Sequence, residues 1–414
     1  MSIITIFGGT FCGEESLVRK LASATDYRLI NDKDIVSEAS KNLGITENKM
    51  ARAFSAKTSV FNKFTHERER SIAHLRLTLA RMILDDNLII KGFCGHLIPE
   101  EVIHVLRVCL IADMASRIFM AKRAKGLTEN EAIKLIRGHD EDRAAWVFSI
   151  LHKNDPWDPG LYDMIIPTDK MDEKEAITLI QKNMQKDVVK PTEQSRNAVK
   201  DFILSSEVEV ALTKEGHNVG VKAEDGDVIL TINKHVLMLS RLEDELKSVS
   251  SRVPGVKSIK TKVGPGFHQT DIYRKYDFEI PSRVLLVDDE REFVQTLSER
   301  LLMRDMGSAV AYDGESALEM IKEDEPDVMI LDLRMPGIDG IEVLRRVKAT
   351  QPEIEVIILT GHGSEADRKV CMELGAFEYL QKPVDIDKLS ETIKKANEKI
   401  RREKNAKATP VKGR

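Results

Sequence analysis

Between residues 281 and 399 the sequence repeats one pattern five times: a short apolar run, then a stretch with apolar residues at helical spacing. The runs read "VLLVDD", "SAVAY", "DVMILDL", "EVIILTG" and "FEYLQKP", and the stretches between them carry residues such as Leu297, Leu301 and Leu302. Near-continuous apolar runs belong to strands covered on both faces, and strands that alternate with helices form a parallel sheet. The pattern predicts a doubly wound five-stranded domain. Its ligand site is expected outside the carboxyl ends of the strands.

Acidic residues stand at those ends: Asp288 and Asp289 after "VLLV", and Asp332 after "VMIL". Converging carboxylates repel unless something neutralises them. A hexacoordinate Mg²⁺ does so, taking carboxylates, carbonyls and waters and leaving a position for a phosphoryl oxygen. One carboxylate can then act as a nucleophile, since Asp is among the side chains that form covalent phosphoryl intermediates. Lys382, which ends the fifth strand before Pro383, adds a fixed positive charge, and Thr360, at the end of the fourth, adds a hydroxyl donor. Together these residues predict a phosphoryl-accepting pocket with Asp288, Asp289 and Asp332 around the metal.

The segments "LLVDDE", "LDLRMPGIDG", "ILTGHGS" and "EYLQKPV" occur in the order and spacing of the receiver domain of two-component response regulators, which the whole region resembles. The resemblance implies that Asp332 is the phosphoacceptor, Asp288 and Asp289 the metal-binding pair, Lys382 the phosphate-contacting lysine, Thr360 the switch hydroxyl and Tyr379 the switch aromatic. It also implies a sensor histidine kinase as phosphodonor, an unknown downstream protein, and a dimer formed through the receiver. Phosphorylation adds nearly two negative charges, and a shift of Thr360 toward them is expected to open space that Tyr379 fills. Only a basic tail, residues 400–414, follows, expected to be solvated and disordered, and no helix-turn-helix pattern is read elsewhere. Output is therefore expected through a protein contact or the upstream domains rather than through DNA.

Residues 1–188 show a second alternation, with "IITIF", "DNLIIKG", "HVLRVCLIAD" and "YDMIIPTD" as strands of a parallel sheet flanked by helices. The segment "SVFNKFTHERERSIAHLRLTLARMILD" reads as charged and mainly helical, with Ile72, Leu75, Leu79 and Met82 at helical spacing. Where the first strand turns into the first helix, "IFGGTFCGEES" places Gly8 and Gly13 at the spacing of G-x-x-x-x-G-K-[ST], with Glu14 and Glu15 in the next two places. Each carboxylate is expected to repel a nucleotide's phosphates by about 1 kcal/mol at surface dielectric.

This region resembles the cytidylate kinase-like family through "IITIFGG", "DYRLINDKDIV", "LIIKGFCGH", "GLTENEAIKLIRGHDEDRAAWV" and "DPWDPGLYDMIIPTD". The resemblance implies ATP or CMP as ligands, with Gly8, Gly13, Arg137 and Arg143 near the phosphates. The loop departs from the family pattern, and Phe93 in "GFCG" stands where the family has an arginine. A catalytically silent or nearly silent domain is the expectation. Two alternatives remain: an active nucleoside monophosphate kinase regulated by its receiver, with Arg19, Lys20, Arg137 or Arg143 in the lysine's role, and a non-enzymatic protein-binding scaffold.

After a polar stretch, "QKDVVKPTEQSRN", that reads as a linker, residues 196–266 give a helix, two short strands joined across Asp225-Gly226, a second helix and a last strand. Asp-Gly between alternating apolar runs is a hairpin signal. The order, with "EDGDVILTIN" and "VPGVKSIKTKV", resembles a BON domain, expected to be a spacer or interaction module. The fold class expected overall is multidomain α/β: a kinase-like parallel sheet with helices, a small α+β BON-like domain and a doubly wound receiver.

At 414 residues the chain has room for several domains, and a net charge of −5 gives no global reason to bind nucleic acid. Cys12, Cys94, Cys109 and Cys371 are scattered, so neither a zinc site nor a disulfide framework is expected. With no signal-peptide pattern and no run of about 18 apolar residues, a cytoplasmic protein without a membrane span is the expectation.

Overall fold

The structure, a computed structural model, describes residues 2–57, 59–234, 236, 238–268, 283–304, 306–361 and 363–408. The chain divides into two units, Met1–Thr58 with Arg68–Arg274, and Ser59–Glu67 with Lys275–Arg414.

The chain opens with β1 (Ile3–Gly8), α1 (Glu14–Thr25), β2 (Arg28–Asn31), α2 (Asp32–Leu43) and α3 (Glu47–Ala51). The short α4 (Asn62–Thr65) falls in the second unit, and α5 (Glu67–Met82) returns to the first from Arg68 onward. There follow β3 (Leu88–Lys91), β4 (Val105–Ile111), α6 (Met114–Lys125), α7 (Glu129–Leu151), β5 (Met164–Pro167) and α8 (Glu173–Met184). The five strands form a parallel sheet in the order β2-β3-β1-β4-β5. Strand alternation explains why "IITIF" carries apolar residues on both faces: Ile3 and Phe7 face one core, while Ile4 and Ile6 face the other. Ile72, Leu75 and Leu79 of α5 are buried as the helical spacing predicts, and the mainly helical segment divides at His66, whose φ is 46°, into α4 and α5.

The polar stretch read as a linker leads into α9 (Glu193–Lys214), which starts at a capping box between Thr192 and Ser195. Val199 and Phe202 of α9 belong to the core of the large sheet, and Val208 and Leu212 to the core of the next one. One helix is thus shared by two cores. The second core lies under β6 (Gly220–Glu224), β7 (Asp227–Ile232) and β8 (Ser258–Val263), with α10 (Leu239–Ser250) between β7 and β8. β6 and β7 are antiparallel, and β7 and β8 are parallel. The Asp225-Gly226 turn has both φ angles positive, 47° and 88°, as a two-residue hairpin requires.

The second unit carries β9 (Val284–Val287), α11 (Arg291–Leu302), β10 (Ser308–Ala311), α12 (Gly314–Glu323) and β11 (Val328–Leu331). Then come α13 (Gly340–Thr350), β12 (Glu355–Thr360), α14 (Glu365–Glu373), β13 (Glu378–Gln381) and α15 (Ile386–Ala408). All five strands are parallel, in the order β10-β9-β11-β12-β13. Val284, Leu286, Val328 and Ile330 face one core, and Leu285, Val287, Met329 and Leu331 the other. The order reverses direction between β9 and β11, the place where a doubly wound sheet opens a crevice at its carboxyl edge. The start of the basic tail is helical, since α15 runs to Ala408, and residues 409–414 lie outside the described residues.

Candidate functional site

At the crevice of the second unit the strands deliver their next residues into one place. Asp288 leaves β9 and Asp332 leaves β11, held in register by the Asp332 N–H, which donates to the Val287 carbonyl at 2.9 Å. Ligand oxygens of Asp288, Asp289 and Asp332 all lie within 4.8 Å of one another. Asp288 and Asp332 are buried, 3% and 5% exposed, while Asp289 is more open to solvent. Each buried carboxylate also accepts a backbone N–H: Glu290 donates to Asp288 at 3.0 Å, and Leu333 to Asp332 at 2.8 Å.

Lys382 follows β13 and points its amine into this cluster, 2.6 Å from Asp288, 3.1 Å from Glu290 and 3.5 Å from Asp332. The amine also lies 4.3 Å from the centre of the Phe293 ring. Burial pushes the Asp288 carboxyl above its ordinary range, against the lowering effect of Lys382. Burial likewise tends to lower the Lys382 pKa, but the hydrogen bond and charge of Asp288, with Glu290 and Asp332, outweigh it and leave it raised. Three carboxylates facing one cation leave negative charge in excess. The donor set therefore fits a divalent, oxygen-seeking ion such as Mg²⁺, held by Asp288, Asp289 and Asp332.

Thr360 ends β12 fully buried, its carbonyl accepting from the Lys382 N–H at 2.9 Å. Tyr379 is 8% exposed in the same core as Leu333, Met335 and Cys371, and its hydroxyl has no hydrogen-bond partner among the described residues. The ring is thus turned into the core rather than toward solvent. Glu290 and Phe293 escaped the sequence reading; the signal available was their position one and four residues beyond the acidic pair.

In the first unit, Gly13, at φ 73°, sits just before α1, so Glu14 and Glu15 form the first helical turn without a side-chain cap. An α-helix N-terminus attracts anions. Here the chain supplies its own. Lys91, at the end of β3 beside β1, pairs with Glu15 and lies 3.5 Å from Glu14. Burial raises the Glu14 pKa, opposed by Lys91 and Arg143. The loop's carbonyls are taken by arginines: Arg143 donates from Nε to Gly8 at 2.7 Å, and Arg117 from Nε to Thr10 at 2.9 Å. Arg117 in turn binds Asp140 through two nitrogens, at 2.9 and 2.7 Å.

Gly8, Gly13 and Arg143 therefore meet at one loop, whereas Arg137 is exposed on α7. The two arginines lie six positions apart, which on a helix places them on different faces. Phe93 stacks on Phe54 at 5.1 Å, and the turn behind it is pinned by Asp32, which accepts the N–H groups of Phe93 and Cys94 at 2.8 and 2.9 Å. Lys91, Arg117, Asp140 and Asp32 were missed because no local motif marks them. The one usable signal was Lys91 at the end of an apolar strand.

The model of the response regulator receiver domain matches residues 284–394, and that of the cytidylate kinase-like family matches residues 3–170. Among curated proteins, Response regulator MprA of Mycolicibacterium vanbaalenii is 36% identical over 110 residues, which are 27% of this chain and 48% of that protein. MprA of Mycobacterium ulcerans is 37% identical over 107 residues, 26% of this chain and 46% of that one. The chain thus spans about half the length of the curated relatives it matches. A solved receiver domain protein from Clostridium thermocellum is 36% identical, covering 30% of this chain and 97% of that one, with a TM-score of 0.28. Residues 284–394 are a response regulator receiver domain, and residues 3–170 belong to the cytidylate kinase-like family.

Proposed function

We propose that the chain is a two-component response regulator whose receiver takes a phosphoryl group on Asp332 from a phosphohistidine of a sensor kinase, in the cytoplasm. The observation that carries this reading is the convergence of Asp288, Asp289 and Asp332 within 4.8 Å, faced by Lys382. In the step proposed, an Asp332 carboxylate oxygen attacks phosphorus, the P–N bond breaks, and the departing imidazole nitrogen takes a proton. Bound Mg²⁺ supplies charge neutralisation for the carboxylates and the phosphoryl oxygens. Lys382 then exchanges its contacts with Asp288 and Asp332 for a phosphoryl oxygen. Thr360, beside it, donates its hydroxyl to another.

The first domain is proposed to be catalytically silent or nearly so. Phosphoryl transfer depends on positive groups placed at the phosphates. Two observations support silence: Glu14 and Glu15 occupy the helix start with Lys91 committed to them, and Arg143 and Arg117 are committed to loop carbonyls and Asp140. Either ATP or CMP is left with few free cations in that loop. The element order of α9, β6, β7, α10 and β8 supports a BON-like interaction module between the two domains. Downstream output then passes through protein contact.

The test is the full chain with ATP, Mg²⁺ and each nucleoside monophosphate, followed by product chromatography. No product above background is expected. Turnover of roughly 1 to 100 per second, usual for kinases, would replace this account with that of a regulated enzyme.

A further inference from the structure

The second unit contains nine residues that the sequence places far from it. Ser59–Glu67 cluster with the receiver, more than two hundred residues later in the chain. Phe61 is fully buried in the same apolar core as Ile321, Val343, Val347 and Tyr379. The Val60 N–H donates to an Asp324 carboxylate oxygen at 2.9 Å, just past the end of α12. Glu67 pairs with Arg283, which precedes β9 and also donates to the Glu325 carbonyl at 3.2 Å. An apolar anchor, a capped amide and a largely buried ion pair are what a specific contact needs.

These anchors sit where strands begin, opposite the end that holds Asp332, so the segment leaves the acidic pocket open. The core it completes nevertheless runs to that pocket: Val287 precedes Asp288, and Leu331 and Leu333 flank Asp332, all within one cluster with Phe61. Packed cores shift between discrete arrangements rather than deforming gradually. On both sides the chain is fastened within the first unit, Ala56 N–H to Asp142 at 2.7 Å and Arg68 Nε to the Ala53 carbonyl at 3.1 Å. Any change in how firmly 59–67 is held is therefore passed on covalently.

We propose, resting on the receiver reading for the trigger, that residues 59–67 are an internal ligand of the receiver and that the phosphorylation state of Asp332 sets how firmly they are held. This makes the segment the receiver's output inside its own chain. Coupling is reciprocal, so loosening the segment changes the affinity of the acidic pocket by the same factor.

Hydrogen exchange of the full chain, with Mg²⁺ alone and with Mg²⁺ and beryllofluoride, tests this. Residues 59–67 should be protected, and their exchange should change with beryllofluoride together with that of 286–290 and 330–334. Phe61→Ala and Glu67→Arg should both release the segment and change the apparent beryllofluoride affinity by roughly 5- to 150-fold, the ordinary range of coupling. Glu67→Arg combined with Arg283→Glu should restore both, which separates docking from misfolding. A response at 286–290 and 330–334 with none at 59–67 overturns the coupling and leaves the receiver reading standing. No response anywhere overturns the receiver reading and the trigger with it.

Discussion

Lys382 is the residue on which the receiver pocket balances. Its amine is the cation facing two buried carboxylates, with Asp288 at 2.6 Å and Asp332 at 3.5 Å. Removing one partner of a buried ion pair typically costs about 3–5 kcal/mol, because the charges left behind are neither solvated nor paired. Lys382→Ala is therefore expected to lower the receiver's unfolding midpoint in metal-free buffer, and added Mg²⁺ is expected to restore part of the loss. A midpoint unmoved by the substitution contradicts the balance. Asp288, Asp332, Thr360 and Lys382 were legible in sequence because each stands at the end of an apolar strand, and parallel strands end together. Lys91, Arg117 and Asp140 were not, because their relation to Glu14 and the loop exists only after distant elements meet.

At the scale of elements, the turn from β11 into α13 holds Asp332 in place through a close backbone approach. A Cβ on Gly340 would fall 2.1 Å from the Asp332 carbonyl oxygen and 2.7 Å from the Leu333 Cα, both backbone atoms that cannot swing aside. Gly340→Ala is expected to cost about 1–3 kcal/mol, the usual range for overpacking, and to slow labelling of Asp332 by acetyl phosphate. Wild-type stability and labelling rate would refute that constraint. The elements themselves were largely legible, since strand runs and helical spacing are local signals. Three features were not, the first being the edge strand β2, whose four residues are too few and too exposed to stand out as an apolar run. The break at His66 carries no glycine or proline to announce it, and the polar stretch before α9 looks like a linker until its capping box and shared core are seen.

At the scale of the whole molecule, the two units should answer acid differently. In the first unit, burial, with Lys214 and Arg70, pushes His74 down to about 4, and burial with Arg107 does the same to His96. Both are neutral when folded, whereas in the unfolded chain they gain protons below about 6.5. Their contribution is complete above that pH and is lost as pH falls toward 4, by up to about 1.4 kcal/mol per pH unit for each. Urea unfolding at pH 7, 6 and 5 should show this slope in the first unit, and His74→Leu should flatten it. An unchanged slope in that variant contradicts the assignment. The excursion of residues 59–67 was beyond sequence reading for the same reason as the arginines: Phe61 looks like any helix residue until its partners, over two hundred positions away, are in place.

The receiver's chemistry is tested most directly by intact-protein mass spectrometry after incubating the full chain with acetyl phosphate and Mg²⁺. The wild type should gain one phosphoryl group and Asp332→Asn none, because among the strand-end carboxylates Asp332 alone ends the central strand β11 opposite Lys382. A gain in Asp332→Asn equal to that of the wild type would contradict the account.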